Sequence, residues 1–138
     1  MAKLIPDVDF AVQSVFANQL ALLAAGLVEE TVSKVLSEYG RKKGDPKISR
    51  YITKSVEHQN SLSCEKIKLT LDKFDGGWWD QLEDRVKDSD RAAIDSLKAI
   101  RDKVAHGRPN GTGFSVVGSY YSSIKRFARE FDQLILEE

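Results

Sequence analysis

The chain is short of the residues from which many sites are built. Its 138 residues include one cysteine, Cys64. No intramolecular disulfide can form and no zinc site of paired cysteines exists, which fits a reducing cytoplasm. Only two histidines occur, and His58 has no partner at metal-ligand spacing. No glycine-rich phosphate loop and no serine–histidine–aspartate arrangement is visible, so neither a metal nor a cofactor is expected. Twenty-one basic side chains balance twenty-one acidic ones, for a formal net charge of zero. That argues against a long electrostatic hold on duplex DNA, and leaves room for a small local patch. The longest apolar stretch, Leu20 to Val28, contains Gly26 and is too short to span a bilayer. The N-terminus lacks a charged region followed by an unbroken apolar run and a cleavage site. A cytoplasmic, globular domain covering residues 1–138 is the expectation, with no membrane partner.

Strand alternation is also missing, as are repeats and low-complexity tracts; helical spacing dominates instead. Val8, Val12, Val15, Phe16, Leu22, Leu23, Leu27, Val32, Val35, Leu36 and Tyr39 predict one long helix, or two joined near Gly26. Gly40-Arg41-Lys42-Lys43-Gly44 is expected to stop it, with cations against the negative helix end. Asp45-Pro46 reads as an N-cap and first helical residue, opening a polar helix through about Gln59. Ser61 or Ser63 caps a short helix carrying Ile67, Leu69, Leu71 and Phe74. After Asp75-Gly76-Gly77, Trp78-Trp79 starts another. Ser89 or Asp90 is expected to cap a helix with the core stripe Ala93, Leu97, Ile100 and Val104. Gly107 to Gly113 reads as a loop. Ser115 is then expected to cap a last helix with Val117, Tyr120, Tyr121, Ile124, Phe127, Phe131, Leu134 and Ile135 on one side, Tyr120 and Tyr121 spanning the core edge. The predicted fold is an all-α bundle with long first and last helices and shorter ones between.

Chemistry concentrates in Arg101-Asp102-Lys103-Val104-Ala105-His106-Gly107. An arginine stays charged at any working pH, and a histidine titrates near neutrality. Together they suffice for phosphodiester cleavage without metal: one stabilises charge building on phosphorus, the other moves the proton. Asp102 lies four residues before His106, about 40° away around the helix, where a carboxylate could orient the imidazole. Arg101 and His106 differ by about 140° and ~7.5 Å along an ideal helix. Unless the last turn loosens near Gly107, that spacing favours a site completed across a two-fold axis.

The Arg-x4-His string, the apolar run Ile94 to Ile100 before it and the loop and long helix after it resemble the HEPN superfamily (higher eukaryotes and prokaryotes nucleotide-binding domains). The long N-terminal helix with Leu-Ala-Leu-Leu-Ala-Ala-Gly-Leu-Val-Glu agrees, and the arrangement is most similar to the RiboL-PSP type. The resemblance implies a HEPN-like helical bundle acting as a dimeric, metal-independent endoribonuclease. Arg101 would stabilise the phosphorane. His106 would act as base on the 2′-hydroxyl or acid to the leaving 5′-oxygen, giving 2′,3′-cyclic phosphate and 5′-hydroxyl ends. Asp102 occupies a position often filled by asparagine. Resemblance also implies an RNA substrate, a homodimer and a toxin–antitoxin or phage-defence setting with an antitoxin or other protein partner. In the toxin subtype with a tyrosine two residues after the histidine, that tyrosine is adenylylated; Arg108 stands there, so that control is not expected.

Plainer readings stand beside these. Arg101 and His106 could be an exposed cation and a helix-terminal imidazole at the negative dipole end. Lys103 and Arg108 could hold flanking phosphates or simply be solvated. Asn110 is within reach of a substrate, yet Pro109-Asn110-Gly111 is first a turn. Arg41, Lys42, Lys43, Lys47, Arg50 and Lys54 form a basic face that could guide RNA or only face water. Trp78 and Trp79 could stack bases; core packing by one and cover by the other is the commoner use. A non-catalytic HEPN nucleotide- or protein-binding module and a helical dimerisation domain are the rival functions.

Overall fold

Pro6 sits in the first turn of a 38-residue helix, α1 (Pro6–Lys43), where a missing amide hydrogen costs nothing. Five more helices follow: α2 (Pro46–Val56), α3 (Cys64–Asp72), α4 (Trp78–Arg85), α5 (Asp88–Ala105) and α6 (Phe114–Leu136). The computed structural model describes residues 6–57, 59, 61–108 and 111–137, with burial described from residue 12 onward. Among them there is no strand, and no helix is long and apolar enough to cross a membrane. The expected all-α bundle, with its long first and last helices, is the observed architecture.

α1 runs unbroken through Gly26 and Gly40 and ends at Lys43, within the Gly40–Gly44 segment expected to stop it. The reason for a glycine at 40 is lateral. A Cβ there would lie 3.0–3.2 Å from the side chain of Ile52 on α2, so its absence lets the two helices approach. α1 ends at Lys43, and Asp45 starts α2 as expected, its Oδ1 accepting from the amides of Lys47 and Ile48 at 2.8 and 3.0 Å. α2 stops at Val56, short of Gln59. Ser63, not Ser61, caps α3 through the Lys66 amide at 3.1 Å.

α1, α5 and α6 make the central layers, the α1–α6 contact being the most extensive. The small residues Ala17, Ala21 and Ala24 on the inner face of α1 are fully covered, which lets neighbouring helices come close. Phe127 and Phe131 of α6 fill the middle, their ring centroids 5.6 Å apart. Trp78 is fully buried, edge-on to Tyr39 at 4.9 Å and stacked with Phe74 at 6.0 Å. Trp79 is buried as well, so both tryptophans are core residues. Leu69, expected inside, is exposed, while Ile67 and Leu71 carry the inner face of α3.

Two expected caps are corrected. α5 begins at Asp88 with Lys87 before it, and neither Ser89 nor Asp90 caps it. Asp90 instead points inward, where Arg126 of α6 donates to its two oxygens at 2.9 and 3.1 Å. Burial beside a cation gives that carboxylate more than an N-cap would. α6 begins at Phe114 after Gly113, with no side-chain cap, so Ser115 lies within its first turn.

Candidate active site at the end of α5

α5 ends in a way that sets out the motif. Ile100 is buried and Val104 partly so, and these anchor the last two turns against the core. Beyond them, the amide of Gly107 donates to the Val104 carbonyl at 3.1 Å and that of Arg108 to the Lys103 carbonyl at 2.8 Å. Gly107 has φ +66°, a left-handed conformation that a Cβ disfavours. This pair of bonds around a left-handed glycine is a Schellman closure. His106 is the C-cap at φ −94° and ψ 10°, already out of helical geometry, and its amide donates to the Asp102 carbonyl at 3.1 Å. The last turn therefore does loosen at the histidine, and the imidazole is on an exposed residue.

Arg101 reaches α1, where its Nη1 is ion-paired with Glu29. Its side chain is 29% exposed, and Glu29 is 18% exposed. Glu29 also accepts from the backbone amide of Ser61 at 2.9 Å. Among the described residues the remaining guanidinium donors of Arg101 make no hydrogen bond. Asp102 is bonded to Lys98 Nζ at 2.8 Å. The Asp102 carboxyl is held below the usual carboxylate range by that hydrogen bond first. The charges of Lys98, His106 and Arg101 add to the lowering, against partial desolvation. A hydrogen bond from Asp102 to the His106 ring is not among those of the described residues; the carboxylate reaches the imidazole as a neighbouring charge.

Lys103 and Arg108 are exposed on either side of His106 in the chain. Asn110, Pro109 and His58 lie outside the described residues. Arg41, Lys42 and Lys43 close α1, and Lys47, Arg50 and Lys54 lie on α2; Arg41 pairs with Glu38 and Lys54 with Glu57 at 3.3 Å. A cleft of about 740 Å³ between α1, α2 and α6, lined by Lys34, Arg41, Ser49, Thr53 and Asp132, contains none of the motif residues. No group of three potential metal ligands occurs among the described residues.

Glu29 is the residue that sequence reasoning missed. It stands 72 positions from Arg101, and the only local signal is that it ends the uncharged run Phe10 to Val28. With this geometry in hand, comparison with known proteins adds one finding: a family model described as RiboL-PSP-HEPN matches residues 2–137. No curated protein and no solved structure matches the chain.

Proposed function

The chain belongs to the RiboL-PSP-HEPN family, and from that premise we propose that it is a metal-independent endoribonuclease whose chemistry runs at Arg101 and His106. The observation that carries the reading is the Schellman end of α5. It leaves His106 exposed beyond the core, five residues from a guanidinium with uncommitted donors. In the reaction, the 2′-oxygen attacks phosphorus and the P–O5′ bond breaks. His106 takes the 2′-hydroxyl proton as base or supplies one to the leaving 5′-oxygen as acid. Arg101 donates to the phosphorane oxygens, whose charge grows in the transition state. The products are a 2′,3′-cyclic phosphate and a 5′-hydroxyl. Asp102 contributes negative charge near the imidazole, and Lys103, Arg108 and Asn110 take flanking phosphates. A homodimer in the cytoplasm, restrained by an antitoxin or another protein, acting in stress or phage defence, completes the proposal.

The ion pair between Arg101 and Glu29 also favours a second reading. An arginine whose charge is already balanced by a carboxylate suits a non-catalytic nucleotide- or protein-binding module. Incubating the protein with a mixed RNA panel in EDTA and mapping the termini separates the two. The nuclease reading expects cyclic-phosphate ends, reduced by roughly 10²–10⁴ in rate in His106→Ala and by roughly 10²–10³ in Arg101→Ala. Equal cutting by both folded variants and the parent would end that assignment of the site; binding without cutting by the parent supports the module.

A further inference from the structure

Glu29 is mostly covered, yet it is charged, and a carboxylate in that position persists only with partners. Its two partners come from separate parts of the chain. One is the Arg101 guanidinium on α5; the other is the Ser61 amide in the connection between α2 and α3. Ser61 is the one non-glycine residue with positive φ among those described, at +53°. A left-handed turn of this kind costs a non-glycine residue on the order of 1–2 kcal/mol. The Glu29 contact gives its amide an acceptor in that conformation.

Arginine has several rotatable bonds, and its free side chain samples many directions. Glu29 takes up one nitrogen of Arg101 and makes no hydrogen bond to the others. We infer that Glu29 is the positioning residue of this site. It fixes the Arg101 guanidinium before substrate arrives, leaves its remaining N–H donors for a phosphodiester, and ties that arginine to the α2–α3 connection. This rests on the nuclease reading and adds the residue that preorganises it. Preorganised donors stabilise a transition state without having to be ordered during the reaction. The same carboxylate repels a phosphate in the ground state. Removing its charge should therefore lower turnover without weakening RNA binding, a split that loss of general stability does not produce.

The test compares wild type, Glu29→Gln, Arg101→Ala and the double variant on a cleavable RNA. Binding is measured with a 2′-O-methyl RNA that cannot be cut. Glu29→Gln keeps volume and an acceptor while removing the charge. Its kcat should fall roughly 10- to 100-fold with KM unchanged or lower, and the double variant should be no slower than Arg101→Ala alone. Wild-type kinetics in Glu29→Gln, or losses that add fully in the double variant, would overturn the inference. A second readout needs neither cleavage nor a Glu29 variant. The guanidinium N–H resonances of Arg101, assigned by their loss in Arg101→Lys, should be resolved from the free arginines and slow to exchange with water. If they merge with the solvated arginines, the positioning role fails whether or not the protein cuts RNA. If they are resolved but wild type cuts no RNA in the panel, the positioning stands and the nuclease reading is what fails.

Discussion

Asp90 carries its charge 2% exposed in the first turn of α5. Arg126 donates to both of its oxygens, and Ser123 stands beside the pair. Arg126 itself is about half in water, so the pair is worth less than a fully buried one. The sign of its pH dependence follows from the geometry. The Arg126 hydrogen bonds come first among the causes holding the Asp90 carboxyl below the usual carboxylate range. The stabilisation is therefore complete above the unfolded value near 3.9 and is lost as pH falls through the lower folded value. Urea midpoints of wild type and Asp90→Asn should differ by a constant amount from neutral pH to about pH 5 and converge below about pH 4. A difference that does not begin to shrink below about pH 4 would show that the pair is not what the substitution removes. Reading the sequence, Asp90 looks like a cap because an aspartate near a helix start usually is one. Its partner is 36 residues away, and no local pattern announces it. Glu29 was hidden for the same reason. The proposed pairing of Arg101 with His106 could be read from the sequence because both lie within one turn-and-a-half of a single helix.

Helix existence was legible wherever apolar spacing ran for several turns; helix ends were not always. α1 crosses two glycines for different physical reasons, and the difference is testable at the level of the element. A Cβ at Gly26 would meet nothing within 4 Å, whereas one at Gly40 would press on Ile52 at 3.0 Å. Both positions are helical. Gly26→Ala should accordingly raise stability by about 0.5–1 kcal/mol, the ordinary helix-interior gain. Gly40→Ala should gain less than that, or lose, because the branched Ile52 side chain has to shift. Chemical denaturation of the two variants decides it, and a larger gain at Gly40 would contradict the close α1–α2 approach. The start of α6 was misread in a related way. Gly113 supplies the extended residue before the helix, so no serine is needed there.

At the scale of the molecule, α1 poses a question that its own fold does not answer. From Phe10 to Val28 it has no charge, in a chain with 30% charged residues. Ala17, Ala21, Ala24 and Val28 cover its inner face, but Val12, Phe16 and Leu23 on the opposite face are 45%, 55% and 67% exposed, with Val15 and Leu22 beside them. Val12, Phe16 and Leu23, with the polar Gln19 between them, follow the alternating four-and-three spacing of a helix pair. A helix apolar on both faces is normally covered on both. A second copy suits this face, because across a two-fold axis each residue meets its own kind and an uncharged stripe brings no like charges together. The five side chains make a patch smaller than the roughly 800 Å² that one side of a standard interface buries, so further surface has to join it. Sedimentation of the wild type at micromolar concentration should therefore give a dimer, and Leu23→Glu should give a monomer with the same helix content. If the site is completed between protomers, that monomer should also lose cleavage although Leu23 lies on α1, outside the Arg101–His106 motif of α5. A wild type that sediments as a monomer at the highest concentrations would remove the dimer, and a Leu23→Glu monomer that still cuts at the parental rate would place both motif residues of a working site in one chain.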